Sequence, residues 1–215
     1  MGFSNLEAIK TGLEKTKRDL FIAAAITAVA LIYWTVPFYI ARSILGISEA
    51  FGTILVLIFL VLSFLIFMGY IKTVIDIYDG NSVDLKDLFM HYKKLPDFII
   101  GFLFYFVIVS LTSVLLVIPG IFFAVRLSFV FFFILQGDSS ALESLKKSWK
   151  ITGGEFFSLL IFYLLLVGIN ILGASIFFVG LAFSLPVSLI AVVYAYRELS
   201  LDYKRREIEK MATLE

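Results

Sequence analysis

The stretch that decides the fold is Phe98–Gln136, which reads FIIGFLFYFVIVSLTSVLLVIPGIFFAVRLSFVFFFILQ. As one helix its roughly 39 residues would extend about 58 Å, nearly twice the roughly 30 Å thickness of a bilayer core. The tripeptide Ile118-Pro119-Gly120 carries residues that end one helix and allow another to begin. We therefore expect two membrane spans joined by a tight link, in preference to one long kinked helix.

The composition of the whole chain agrees with a membrane location. Apolar residues make up 61% of the 215 positions and charged residues only 16%, whereas soluble domains are about 45–50% apolar and about 25% charged. A water-soluble fold of this length could not hide so much apolar surface. The net charge of +1 predicts no nucleic-acid partner, because phosphate binding requires a basic footprint.

Apolar runs of similar length lie on both sides of this stretch. We predict an all-α polytopic protein in which one membrane domain, 1–215, contains six transmembrane helices arranged as three hairpins. A cytoplasmic amphipathic helix at 1–19 precedes the first span, and a cytoplasmic tail at 200–215 follows the last. The spans are predicted near residues 20–45, 50–77, 98–118, 120–136, 156–179 and 183–199.

The positions of the basic residues predict the orientation. Most of the 18 lysine and arginine residues precede the first span, follow the last, or lie between spans two and three or four and five. Lys72 and Arg197 lie at the predicted cytoplasmic ends of the second and sixth spans, and the exceptions to the pattern are Arg42 and Arg126. Basic residues concentrate in the cytoplasmic loops of membrane proteins. This pattern predicts a multi-pass protein of the cell membrane with both termini in the cytoplasm.

Each predicted cytoplasmic approach to the membrane carries apolar residues at helical spacing. These are Leu6, Ile9 and Leu13 in the first approach, Leu85, Leu88, Phe89 and Tyr92 in the second, and Leu142, Leu145 and Trp149 in the third. Spacings of three, four and seven residues place each set on one helical face. The chain is either three repeats of an interfacial helix with a hairpin, or an ordinary polytopic protein with amphipathic connectors.

The third connector has the clearest helix signals. Ser140 and Glu143 fit a capping box, and Gly153-Gly154 supplies a stop. Lys146, Lys147, Trp149 and Lys150 are the predicted interfacial residues of this helix.

Arg126 is the most informative candidate for a site, because an ionisable residue within a span usually faces a partner or a wet cavity. Counting along the spans places four polar residues at a comparable depth: Asn170, Ser110, Ser113 and Tyr39. The functional interpretation is a site for an anion or a lipid headgroup. The alternatives are a structural clasp between helices and outward snorkelling of the side chain.

The sequence lacks the usual chemistry of a membrane enzyme. It has no cysteine and one histidine, His91, so a thiolate or multi-histidine metal site is not expected. We find no pair of carboxylates within a span and no glycine-rich phosphate loop. We therefore predict a protein that is not an enzyme and that needs no cofactor and no metal.

The C-terminal part of the chain resembles the YciC-like family of prokaryotic membrane proteins and the membrane domain attached to some glycerophosphodiester phosphodiesterases. The resemblance is carried by these segments: Pro119-Gly120-Ile121, Arg126-Leu127-Ser128-Phe129, Ala141-Leu142, Ser144-Leu145-Lys146-Lys147-Ser148-Trp149-Lys150-Ile151-Thr152, Gly154, Phe156-Phe157, Pro186 and Tyr196-Arg197-Glu198-Leu199. It implies a six-helix bundle without a defined activity, and the catalysis of the phosphodiesterase domain does not carry over.

Two functions remain open from the sequence. The first is transport or lipid handling through a polar interior near Arg126, with an anionic lipid or small molecule as the ligand. The second is a non-catalytic scaffold or accessory subunit that binds anionic lipid or a protein partner. The sequence indicates neither an oligomeric state nor a particular protein partner.

Overall fold

The chain is described by a computed structural model that covers residues 4–20, 23–25, 27–28, 49–83, 91–137, 139–175 and 180–212. Within these ranges a short 3₁₀ turn at Tyr92–Lys94 accompanies the α-helices. The helices are α1 (Asn5–Arg18), α2 (Glu49–Asp79), α3 (Leu95–Leu115), α4 (Val117–Arg126), α5 (Val130–Gln136), α6 (Ala141–Ile151), α7 (Phe156–Ser175) and α8 (Leu181–Ala212).

Five segments of the described chain are long and apolar enough to cross a membrane: Val56–Asp79, Tyr92–Leu115, Val117–Gln136, Phe156–Ser175 and Leu181–Ala212. They overlap the second to sixth predicted spans. The first predicted span, 20–45, lies mostly outside the described residues, as does Arg42. The structure therefore confirms an all-helical protein with apolar spans, and the count of six stays a prediction.

The link between α3 and α4 differs from the predicted one. α3 ends at Leu115, and Leu116 alone adopts an extended conformation before α4 begins at Val117. Pro119 lies in the first turn of α4, where its missing N–H breaks no intrahelical hydrogen bond. A Cβ atom at Gly120 would overlap the side chain of Ser113. Glycine is therefore needed for the close approach of α3 and α4 rather than for ending a helix.

The last two helices also meet at glycines. A Cβ atom at Gly173 would lie 3.1 Å from the carbonyl oxygen of Gly180 and 2.9 Å from Cβ of Ser184. Pro186 is buried inside α8, and the helix continues through it to Ala212. The predicted tail is thus helical as far as Ala212.

α1 packs along α8 through a face that the apolar spacing did not indicate. Its buried residues are Ala8, Gly12 and Thr16, and a Cβ atom at Gly12 would lie 2.5 Å from the carbonyl oxygen of Val187. Leu6, from the predicted apolar stripe, is 80% exposed. Small residues at a spacing of four allow two helix backbones to approach closely, as in membrane helix pairs.

Ion pairs and aromatic rings connect the remaining helices. The predicted pair between Lys72 and Asp76 is present at 2.5 Å, and Arg197 of α8 pairs with Asp79 of α2 at 2.7 Å. The ring of Phe131 is part of the aromatic core of the bundle. Its neighbours, with ring centroids between 5.0 and 6.4 Å away, are Phe67, Phe98, Phe102 and Tyr105.

α6 begins and ends as predicted. The hydroxyl of Ser140 accepts a hydrogen bond from the N–H of Glu143 at 3.4 Å, and Gly154 has a positive φ of 90° just after the helix, a conformation that favours glycine. The carboxylate of Glu143 pairs with Lys147 at 2.9 Å. Of the second approach, the described chain includes only Tyr92, so the threefold repeat stays a prediction.

Candidate functional site

The fourth span is broken in its middle, and α6 covers the break. Between α4 and α5 the chain turns at Leu127–Phe129. Ser148 donates a hydrogen bond to the carbonyl oxygen of Arg126 at 3.0 Å and accepts one from the N–H of Phe129 at 3.2 Å. The hydroxyl of Thr152 lies 3.1 Å from the same carbonyl and 2.8 Å from the carbonyl of Ser148, so the two carbonyl groups share its single proton. Both hydroxyl groups belong to fully buried residues, so they satisfy backbone groups that a membrane interior could not.

The break brings the side chain of Arg126 to the end of α6. Its guanidinium carbon lies 4.2 Å from the ring centroid of Trp149 and 5.9 Å from that of Phe122. These distances are within the range of a cation–π interaction. The Nε atom is buried without a hydrogen-bond partner, and no carboxylate of the described chain pairs with Arg126. The faces of the two rings therefore stabilise this charge.

An open groove runs beside Trp149, with a volume of about 330 Å³. Its walls are Ile108 of α3, Phe123 of α4, Leu127, and four residues of α6. Those four are Leu145, Lys146, Trp149 and Lys150. The ring of Phe123 stands 5.6 Å from the Trp149 ring. The groove surface is almost entirely apolar, so the two lysines line it with their hydrocarbon stems.

The lysines of α6 differ in their partners. Lys147 pairs with Glu143 at 2.9 Å and donates a hydrogen bond to Ser139 at 2.7 Å. Lys146 and Lys150 form no ion pair with any residue that the structure describes. Lys146 and Lys150 line the groove, and Arg126 lies beside it, against the ring of Trp149. We call these three cations, which have no carboxylate partner among the described residues, the cationic rim.

The other predicted site residues do not gather around Arg126. The amide of Asn170 donates hydrogen bonds to the carbonyl of Leu166 and to Ser188 of α8, both at 2.8 Å. Asn170 therefore joins α7 to α8, and its Oδ1, the atom that could accept from a guanidinium, has no hydrogen-bond partner among the described residues. Ser113 sits against Gly120 near the α3–α4 link.

Two further candidates add nothing to the cluster. Ser110 is half-buried in α3, and Tyr39 lies outside the described residues. Counting residues along a span estimates how deep a side chain lies in the membrane, but not which way it points around the helix axis. The predicted set therefore combined side chains of similar depth that contact different helices.

Sequence reasoning also missed the hydroxyl face of α6. Ser144, Ser148 and Thr152 recur every four residues and are all fully buried. This spacing can be recognised in the sequence, since it puts three small polar residues on one helical face. A search for apolar residues at helical spacing does not detect this polar face.

The spans, the broken helix and the apolar outer surface define an all-helical integral membrane protein. Several spans expose large apolar side chains that suit a lipid environment, among them Leu103, Leu111 and Leu164.

Comparison with known proteins gives relatives of undefined activity. The chain is 29% identical over 135 residues to an uncharacterized protein of Mycobacterium bovis and, at the same identity and length, to one of Mycobacterium tuberculosis. A second protein of Mycobacterium tuberculosis, also uncharacterized, is 26% identical over 132 residues.

These matches cover 61% of the chain and 40% of each relative. The chain thus spans well under half the length of the curated relatives that it matches. No protein-family profile matches the chain, and no solved structure matches it. The resemblance to the YciC-like group stays a prediction.

Proposed function

We propose that the protein is a six-span protein of the cell membrane whose three hairpins stand on a basic cytoplasmic side. Five apolar helical segments and the apolar run at residues 20–45 support this plan. The clustering of lysine and arginine outside the spans supports cytoplasmic termini. α3 and α4, like α7 and α8, contact each other closely at glycines next to their connections, as consecutive antiparallel spans would.

Within that frame we propose a non-catalytic role in lipid handling, in which the groove beside Trp149 binds a phosphate-bearing lipid. The observation that carries the proposal is the cationic rim around an apolar groove. An acyl chain suits the apolar walls, and a phosphate suits Arg126, Lys146 and Lys150, which lack carboxylates. Guanidinium and ammonium groups bind phosphate through charge-assisted hydrogen bonds.

The groove supports lipid handling better than the transport of a polar solute. A polar solute needs polar groups along its path, whereas Ile108, Phe123, Leu127 and Leu145 line this groove. An acyl chain needs no such groups, because its contacts are apolar.

The scaffold hypothesis has one observation in its favour. Beyond the apolar part of α8, Ile208 and Met211 are 62% and 61% exposed on a helix rich in charged residues. Two apolar side chains one turn apart on a solvated helix are typical of a surface that contacts a partner helix. This contact would lie far along the chain from the groove, so the two functions can be tested separately.

The test is lipid binding by the purified full chain in detergent, measured by native mass spectrometry. We expect phosphatidylglycerol to bind more tightly than phosphatidylcholine. Loss of one charged hydrogen bond to phosphate costs about 1.5–3 kcal/mol of binding free energy. The variant Arg126→Gln is therefore expected to lower the affinity for phosphatidylglycerol roughly ten- to a hundredfold. The double variant Lys146→Gln/Lys150→Gln is expected to weaken it at least as much.

Lys147→Gln is the matched control. It removes the same charge from the same helix, but from a side chain that already has a carboxylate partner. The proposal fails if both lipids bind equally, or if Lys147→Gln weakens binding as much as Arg126→Gln does.

A further inference from the structure

A second cavity adjoins α6 on the face next to the groove, between α5, α6 and α8. Its volume is about 360 Å³. Phe133 of α5 and Ile151 of α6 form an apolar part of its wall. The lining residues of α8 all follow residue 199, where the sixth predicted span ends; they are Ser200, Tyr203, Lys204 and Glu207. The cavity therefore lies at the end of the spans, at the level of lipid headgroups.

Two cations of this cavity have no carboxylate partner in the part of the chain that the structure describes. They are Lys150 of α6 and Lys204 of α8. Lys147 also lines the cavity, but its ammonium group already contacts Glu143 at 2.9 Å and Ser139 at 2.7 Å. The charges that remain available to a ligand therefore come from Lys150 and Lys204, on two different helices.

Glu207 adds a carboxylate to the wall of the cavity. The hydroxyl of Tyr203 donates a hydrogen bond to this carboxylate, which satisfies part of its hydrogen-bonding capacity within α8. The ammonium groups of Lys150 and Lys204 still outnumber it. An anion that bound between the two lysines would gain charge-assisted hydrogen bonds, which an uncharged ligand would not.

Lys150 belongs to both cavities. It lines the groove beside Trp149 as well as the second cavity, because it lies on α6 between the two faces. A phosphate held by the cationic rim would therefore lie close to the mouth of the second cavity. Basic pockets between helices at the membrane surface are typical binding sites for lipid headgroups with more than one phosphate.

We propose that the second cavity binds a second phosphate group of the same lipid, held by Lys150 and Lys204. The lipid would then carry two phosphates on a short bridge, as diphosphatidylglycerol does. The two cavities occupy neighbouring faces of α6 rather than one space, so bridged phosphates fit them better than the directly linked phosphates of a diphosphate. This inference rests on the proposed lipid-binding function of the groove.

The experiment compares diphosphatidylglycerol with phosphatidylglycerol, each titrated into the purified full chain in detergent and followed by native mass spectrometry. We expect diphosphatidylglycerol to bind more tightly. Lys204→Gln is expected to lower the affinity for diphosphatidylglycerol about tenfold, the low end for a charged hydrogen bond, because Lys204 is exposed. It is expected to leave the affinity for phosphatidylglycerol unchanged, since the groove alone holds a single phosphate.

Two further variants test whether the effect depends on charge at this place. Glu207→Gln removes the negative charge that opposes a phosphate, so it is expected to raise the affinity for diphosphatidylglycerol. Lys210→Gln is the matched control, because it removes the same charge from α8 at a residue that does not line the cavity. It is expected to leave both affinities unchanged.

A titration with inorganic phosphate, in the presence of phosphatidylglycerol, distinguishes a lipid phosphate from a free one. We expect no saturable binding of the free ion. Saturable binding of inorganic phosphate that Lys204→Gln weakens, with diphosphatidylglycerol no tighter than phosphatidylglycerol, would assign the cavity to a soluble ligand and overturn the proposal.

Other outcomes separate this inference from the function on which it rests. Equal affinities for the two lipids, or equal losses in Lys204→Gln and Lys210→Gln, would overturn the second phosphate site and leave the groove intact. No preference for phosphatidylglycerol over phosphatidylcholine, or no effect of Arg126→Gln, would overturn the proposed function of the groove and this inference with it.

Discussion

Removing the hydroxyl of Ser148 is expected to destabilise the protein by about 1–3 kcal/mol. This hydroxyl accepts from the N–H of Phe129 at 3.2 Å and donates to the carbonyl of Arg126 at 3.0 Å. In Ser148→Ala the hydroxyl of Thr152, 3.1 Å from the carbonyl, can still donate to it, but the N–H of Phe129, whose residue is fully buried, loses its partner. The expected cost is therefore that of one unsatisfied buried donor rather than of two lost bonds.

Ser144→Ala is the matched control for this prediction. Ser144 lies on the same helix and is also fully buried, yet its hydroxyl has no hydrogen-bond partner among the described residues. Its removal is expected to leave the free energy of unfolding unchanged or to raise it slightly.

The assay is reversible unfolding in mixed micelles with increasing dodecyl sulfate. Far-ultraviolet circular dichroism and tryptophan fluorescence follow the transition, and Trp149 is one of the two tryptophans of the chain. Equal losses in Ser148→Ala and Ser144→Ala, or a larger loss in Ser144→Ala, would refute the role assigned to Ser148.

Three further predictions concern helix packing and use the same unfolding assay unless another is named. Gly173→Ala is expected to cost about 1–3 kcal/mol by overpacking, whereas Gly168→Ala, with open space around it, is expected to be neutral or stabilising; equal effects would contradict the glycine contact. Gly12→Ala forces α1 away from a backbone carbonyl of α8, so trypsin is expected to cleave α1 about tenfold faster, equivalent to about 1.4 kcal/mol; an unchanged rate would refute the docking. Asp79→Asn is expected to cost less than about 1 kcal/mol, because its pair with Arg197 is about one-third exposed on each side; a loss above about 2 kcal/mol would show that the pair is more than a surface contact.

Hydropathy predicted the spans because it reports a property that each segment carries by itself. A segment such as Phe98–Gln136 is apolar whatever it packs against, so the need for two helices there follows from its length alone. The cap at Ser140 was predictable for the same reason, since its partner is three residues away. A feature whose interacting residues are close together in the chain can be predicted from the sequence.

The neighbours of Arg126 were not predictable in this way. Its contact with Trp149 depends on the turn at Leu127–Phe129, which lets α6 reach the end of α4. Neither proline nor glycine occupies that turn, and the energy that permits it comes from Ser148, about 20 residues further along the chain. A helix break inside an apolar segment cannot be predicted from that segment when the groups that hydrogen-bond to the free backbone belong to another helix.

The packed face of α1 was missed for a different reason. Leu6 and Leu13 are the conspicuous apolar residues of this helix, but close helix packing in membranes depends on small residues. Gly12 contributes no apolar side chain, and its importance appears only against Val187. Hydrophobicity predicts which residues avoid water, whereas the pairing of two helices depends on the shape complementarity of their surfaces.

The docking of α1 on α8 also makes the bundle depend on residues that lie far apart in the chain. Gly12 packs against the backbone of Val187, which follows it by 187 − 12 = 175 positions. α1 therefore has no surface to dock on until the chain has been made past Val187, and a nascent chain that stops earlier lacks this contact.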